Sequence, residues 1–324
     1  MQFLIRRIGF YLVAAFIAII LNFMIPRMMT GDPITALFAR FQGRLDPNAI
    51  EALRETFGLV DAPLHEQFFT YLGSLFQGNL GISLTAFPAP VTEVIGTGLW
   101  WTLRLAGIAT IISFFLGTLL GVFAAWRRGR FADTVILPTL SFIGAFPYFW
   151  VAMLCVYGLA FKFGWFPLSH AYDLSLPVDW GSGPFLWSVI YHAALPTLTI
   201  VVTGIGGWML AMRNNMIGVL SEDYIVMAQA KGLSDRRVML TYAARNAILP
   251  SVTGFAMSLG FAIGGALLTE IVFSYPGVGF WLLSAVNARD YPLMQGIFMI
   301  ITMAVLLANF LADVVYVLLD PRAR

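Results

Sequence analysis

EDYIVMAQAKGLSDRRVMLTYAARNAILP, residues Glu222–Pro250, is the longest polar interruption between apolar segments on the arginine-rich side of this chain. Ala228, Ala230 and Gly232 are small and closely spaced, with Tyr224, Ile225 and Met227 before them and Val238 and Leu240 after. The cations Lys231, Arg236, Arg237 and Arg245 are threaded through, and Pro250 closes the stretch just before the next apolar run. Glycine tolerates positive φ, so Gly232 predicts a break between two short helices. The bland reading is an ordinary basic loop between membrane helices. The sharper one is a docking element, whose small residues let another protein approach closely and pass mechanical work into the membrane.

Composition points the same way. Of 324 residues, 59% are apolar and only 11% charged, against roughly a quarter charged in ordinary soluble domains. A soluble chain this apolar has too little polar surface to cover itself, so a polytopic all-α membrane protein is the direct reading. The lone cysteine, Cys155, excludes an internal disulfide. His65, His170 and His192 are scattered without metal-ligand spacing, so no metal site is expected.

Outward from the opening stretch, six apolar spans are expected. The first, Ile8–Ile25, follows Arg6-Arg7 and lacks a signal-peptidase-like site, so it reads as uncleaved rather than as a signal peptide or twin-arginine leader. Residues 29–98 form a long amphipathic segment. In it Asp46-Pro47 opens a short helix ending at Gly58, Leu64, Phe68, Leu72 and Leu75 mark a second, and Gln77–Ser83 is turn-rich. The second span, Leu99–Trp126, carries Ser113, Gly117, Gly121 and Ala125 every four residues, a small-residue strip suited to close helix packing. Arg104 is expected to snorkel near its outer end. The third span, about Val135–Phe161, is expected to kink at Pro138 and Pro147. The fourth, about Ala193–Met212, holds Pro196, Gly204, Gly206 and Gly207 and is expected to be bent or broken. The fifth runs over Ser251–Phe273 and the sixth over Leu293–Leu319, separated by an outer turn in which Pro276-Gly277 suits a type II turn.

Charge fixes the orientation. Arg6, Arg7, Arg127, Arg128, Arg130, Arg213, Lys231, Arg236, Arg237, Arg245, Arg322 and Arg324 fall on one side, many of them in short turns, so that side is cytoplasmic and both termini lie inside. The only lysines are Lys162 and Lys231, and neither follows a glycine, which excludes a Walker A loop. No H-E-x-x-H or G-x-S-x-G motif occurs. Glu270 and Asp313 lie toward helix ends, so the ionisable midplane groups of ion-driven carriers are scarce.

The run Ala228–Ser234, continuing to Arg245-Asn-Ala247 and Pro250, resembles the "EAA" loop of ABC-importer permeases of the dipeptide/oligopeptide family. Tyr242 departs from the histidine found in many relatives. Phe146-Pro-Tyr-Phe-Trp150, Phe273–Gly279 and the ending Asn309, Asp313, Tyr316, Asp320-Pro-Arg322 resemble the same family. The resemblance implies a type I ABC-importer permease with six transmembrane helices. Its layout would be a first transmembrane helix at 1–28, an extracytoplasmic segment at 29–98, and a permease core at 99–324 with a cytoplasmic coupling loop at 214–250. It implies a bacterial or archaeal plasma-membrane location, a second homologous permease subunit, two ATPase subunits, an extracytoplasmic solute-binding protein and no nucleic-acid partner. This chain would hold no cofactor, ATP and magnesium being bound by the partner ATPases, and would not itself be an enzyme. Lys231, Arg236 and Arg237 would make polar contacts to the ATPase, with Tyr224, Ile225, Ala228, Ala230 and Gly232 giving the docking shape. Glu222, Leu233, Ser234 and Arg245 complete the expected loop site. Peptides are the implied solute, with oligosaccharides or nickel complexes as alternatives in the family. A stand-alone ion-coupled carrier and an intramembrane enzyme remain as rivals from other classes.

Overall fold

The computed structural model describes residues 2–28 and 63–319. The expected Asp46–Gly58 helix and the Asp320-Pro-Arg322 ending lie outside the described residues. Among the described residues the regular elements are all helices, joined by turns and by an irregular stretch over 163–182, and the extended backbone includes an isolated antiparallel bridge between Ile82 and Pro90.

In chain order the elements are α1 (Gln2–Met28), α2 (Leu64–Phe76), α3 (Val91–Trp126, with a π turn at Leu103–Gly107), α4 (Ala132–Gly144) and α5 (Tyr148–Lys162). There follow α6 (Gly183–Leu220), α7 (Asp223–Ala230), a helical stretch α8 over 235–247, α9 (Leu249–Gly265), α10 (Leu267–Val272), α11 (Val278–Ala288) and α12 (Tyr291–Leu319). Parts of α1, α3, α6 and α12 are long and apolar enough to cross a membrane, and α4 with α5 forms a fifth candidate bent by 97°.

The breaks fall elsewhere than the sequence suggests. The fourth span, expected to be bent or broken, is the uninterrupted 38-residue α6 with Pro196 inside it. Packing outweighs the weak helix propensity of its glycines, because Gly206 lets the α4 backbone come close and Thr199 donates to the Pro196 carbonyl at 2.7 Å. The expected fifth span is instead the pair α9 and α10, which part at Ala266 (φ −88°, ψ 0°) directly after Gly264-Gly265, where helix propensity is poorest. Pro138 lies in α4 just after a π turn at Ala132–Ile136, and the 97° bend between α4 and α5 falls at Pro147.

The chain divides into two compact units, Met1–Thr102 with Pro276–Phe310, and Leu103–Tyr275 with Leu311–Ala323. In the first, the buried carboxylate of Asp290 gathers the chain. It accepts from the Ser83 hydroxyl at 2.6 Å, the Thr85 amide at 2.8 Å and the Leu293 amide at 3.1 Å, so it both caps α12 and pins the loop before α3. The Asn22 side chain donates to the Gln295 carbonyl at 2.7 Å, and Arg27 lies 3.6 Å over the Phe23 ring while donating to Gln67. Pro276-Gly277 does not make a type II turn, because Gly277 is extended (φ −84°, ψ −179°) and Ser274 takes the left-handed conformation (φ 47°). Gly277 instead leads into α11, whose first amide, Val278, donates to the Thr102 hydroxyl at 2.9 Å.

In the second unit, α3 and α6 make the most extensive packing. The expected strip holds, with Ser113, Gly117, Gly121 and Ala125 all buried. A Cβ at Gly117 would lie 2.6 Å from Trp208 Cβ, and one at Gly121 2.6 Å from the Met209 carbonyl oxygen, so the helices approach at backbone distance. Arg104 stacks on Trp180, its guanidinium carbon 4.0 Å from the ring centroid.

Candidate functional site

The Glu222–Pro250 stretch folds as a short helix, a turn and a second helical stretch. Gly232 closes α7 in the left-handed conformation at φ +73°. Its amide donates to the Gln229 carbonyl at 2.9 Å and the Leu233 amide reaches back to the Ala228 carbonyl at 3.3 Å, the paired bonds of a Schellman motif. Ser234 is extended, and its carbonyl accepts from Arg237 and Val238 to open α8. The break predicted at Gly232 is present, and its cause is the one expected from a residue without Cβ.

The inner face of α7 is closed. Ile225 and Ala228 are buried with Val238, Met239, Ala243 and Ala247 of α8, Met212 and Met216 of α6, and Val122 and Ala125 of α3. Leu233 and Tyr242 pack against this cluster. The Asn246 side chain donates to the Tyr224 hydroxyl at 3.1 Å and to the Tyr242 carbonyl at 2.9 Å, tying the start of α7 to the end of α8. Nearby, Arg213 of α6 grips Asp133 with two hydrogen bonds, of 2.8 and 3.3 Å, and Asp133 also accepts the Gly129 amide at 2.9 Å. The basic turn before α4 is thereby held to α6 beside the loop.

The sequence-predicted residues therefore separate into two groups. Ile225 and Ala228 face the chain's own core, where they position α7 rather than shape its outer surface. Glu222, Tyr224, Ala230, Lys231, Gly232, Ser234, Arg236, Arg237 and Arg245 are exposed, and Leu233 is half-buried. Lys231, Arg236, Arg237 and Arg245 form no ion pair among the described residues. Sequence reasoning left Val226 and Met227 out of the site, yet they are 59% and 60% exposed and dominate the outward apolar surface of α7. The signal was available in register: with Ile225 and Ala228 inward, positions 223, 226, 227 and 230 share the opposite face. An exposed apolar pair, in a stretch whose exposed cations form no ion pair among the described residues, on a helix whose back packs against α3 and α6, is a surface suited to receiving another protein.

Residues 117–324 match the family described as "Binding-protein-dependent transport system inner membrane component", and residues 1–97 match the corresponding N-terminal family. The chain is 34% identical over 337 aligned residues to the di/tripeptide transport system permease protein of Pseudomonas aeruginosa, covering 100% of this chain and 99% of that relative. It is 32% identical over 340 residues to the dipeptide transport system permease protein of Escherichia coli, with the same coverage. It is 33% identical over 308 residues to the oligopeptide transport system permease protein of Bacillus subtilis, covering 94% and 93%.

Proposed function

Because the chain belongs to the family of inner membrane components of binding-protein-dependent transport systems, we propose that it is one membrane-spanning subunit of an ATP-driven ABC importer that carries di- or oligopeptides inward by alternating access. Similarity along the whole chain to permeases named for di/tripeptide, dipeptide and oligopeptide transport supports that solute class. Counting α9 with α10 as one span beside the five candidates gives six, with α7 and both termini on the cytoplasmic side by charge. A second permease subunit, a pair of ATPase subunits that bind ATP and magnesium, and an extracytoplasmic binding protein complete the assembly.

The observation that carries the reading is the two-faced α7. Val226, Met227 and Ala230 face outward to meet the ATPase, with Lys231, Arg236 and Arg237 around them. Ile225 and Ala228 transmit its displacement to Met212, Met216, Val122 and Ala125, and so to α6 and α3. Close packing makes that transfer direct, since interiors at organic-crystal density move as bodies rather than compress. ATP-driven closure of the ATPases would drag α7 and tilt the spans, and hydrolysis would reset them.

The test is gentle extraction of the tagged chain with mass spectrometry of what accompanies it, beside Gly232→Trp and Gly232→Ala versions. Nothing in this chain lies within 4 Å of the Cβ position at Gly232, and the residue is exposed, so a side chain leaves the backbone there without an immediate contact. Both replacements bear the same left-handed backbone cost of ~1–2 kcal/mol, and only tryptophan adds bulk to the outer surface. ATPases retained by the native chain and Gly232→Ala but lost from Gly232→Trp support the reading. Equal retention by all three removes α7 as the docking element, and a chain that extracts alone and still moves solute in liposomes removes the importer.

A further inference from the structure

The second unit contains a cavity of about 470 Å³ at the vertex of the α4–α5 bend, within the range of small-molecule sites. It is lined by Gly144, Phe146, Pro147 and Tyr148 at the vertex, and by Thr110, Thr203 and Ser258 from α3, α6 and α9, among other small or apolar residues. No Asp, Glu, Lys, Arg or His lines it.

The main chain at the vertex is unsatisfied. The carbonyls of Gly144, Ala145 and Phe146 and the amides of Tyr148 and Phe149 form no hydrogen bond among the described residues. Gly144 through Pro147 are exposed. Open backbone groups in the middle of an apolar segment are not tolerated against lipid, where each costs several kcal/mol, and are tolerated where they line a water-filled cavity. The side chains add to this. Thr203 donates to the Thr199 carbonyl and Ser258 to the Phe255 carbonyl, so each hydroxyl keeps acceptor capacity. The Thr110 hydroxyl has no partner among the described residues. Of these groups, the Tyr148 amide and the Gly144 and Phe146 carbonyls belong to lining residues, so with the hydroxyls the lining carries both donors and acceptors without a charge.

We propose that this cavity is a solute-holding site that pairs with the main chain of a short peptide, through the vertex backbone and the Thr110, Thr203 and Ser258 hydroxyls, and leaves its side chains unread. The site rests on the importer reading above and deepens it. A peptide main chain presents amide donors and carbonyl acceptors in alternation, the complement of the open groups at the bend. With no charged lining, the cavity holds no fixed charge to favour acidic over basic side chains, and choice between them falls to other parts of the system.

The test uses the membrane and ATPase subunits assembled without the binding protein. Cys155→Ala removes the native thiol, and Thr203→Cys, Ser258→Cys and, outside the cavity, the exposed Thr97→Cys are introduced one at a time. Alkylation rates are read with trialanine, N-methylated trialanine or maltotriose present. Trialanine is expected to slow alkylation at both cavity positions about tenfold, a difference of ~1.4 kcal/mol in occupancy, and to leave Thr97→Cys unchanged. N-methylation, which removes the peptide donors, is expected to abolish the protection, as is replacement by maltotriose. Unreactive cavity positions, absence of trialanine protection, equal protection by maltotriose or by the N-methylated peptide, or protection at Thr97→Cys would each overturn the proposal. An assembled complex without peptide protection removes the cavity and leaves the importer standing, whereas absence of the ATPases from the unsubstituted preparation removes the importer itself.

Discussion

Neighbouring glycines on α6 are expected to respond in opposite ways to the same methyl group. A Cβ at Gly206 would lie 2.6 Å from the Leu140 carbonyl oxygen, 2.7 Å from its carbon and 2.9 Å from the Ser141 amide nitrogen. All three are backbone atoms, so no side chain can turn aside. Going from 2.6 Å to an ordinary 3.4 Å contact requires about 0.8 Å of retreat by α4. At Gly207 nothing lies within 4 Å. Both sites are interior to the same helix, so alanine brings each a similar gain in helix propensity of ~0.8–1.0 kcal/mol. That gain cancels between the two variants, and the difference isolates the overpacking, ~1–3 kcal/mol. Gly207→Ala should leave the thermal midpoint of the extracted complex unchanged or raised. Gly206→Ala should lower it by several degrees and, because α6 carries Met212 and Met216 under α7, should also reduce ATP-driven uptake. Equal midpoints for the two variants would refute the claim that α4 and α6 touch backbone to backbone.

Asp290→Ala strips three hydrogen-bond donors of their buried acceptor and should cost ~3 kcal/mol or more, read as a lowered thermal midpoint, with Asp290→Asn losing less because it keeps one acceptor oxygen. Ile225→Ala and Met227→Ala should divide stability from docking. The first opens a hole in the core under α7 and should cost ~2–5 kcal/mol. The second, on an exposed side chain, should stay within ~0.5 kcal/mol in stability yet weaken retention of the ATPases. Stability measured on each variant, with ATPase recovery on the same sample, checks both.

Much of this architecture was legible because membrane helices advertise themselves through length and apolarity, and because a four-residue repeat of small residues has few uses other than close packing. The strip from Ser113 to Ala125 was readable for that reason. Local signals failed where a tertiary contact decided the outcome. Pro196 and the α6 glycines read as a break, but the approach of Leu140 made Gly206 a packing site within a continuous helix. Pro276-Gly277 read as a turn, but Thr102, far away in sequence, recruited the adjacent amide to start a helix. In the loop site the Gly232 break was legible from glycine chemistry alone. The division between inward Ile225 and Ala228 and outward Val226 and Met227 was not, because it depends on which face α3 and α6 cover. The cavity at the α4–α5 bend was foreshadowed by Pro147, but the residues that complete it come from three other helices.

The Schellman turn at Gly232 also has a consequence in handedness. Its backbone angle of φ +73° is foreign to an L-residue and native to a D-residue, and its surroundings are empty to 4 Å. Within this chain, the backbone at this position therefore discriminates by chirality. A D-alanine introduced there by chemical ligation would stiffen the hinge in the shape it already holds, whereas L-alanine would strain it. Mirror-image residues thus provide a way to vary the rigidity of the turn between α7 and α8 while keeping its backbone shape.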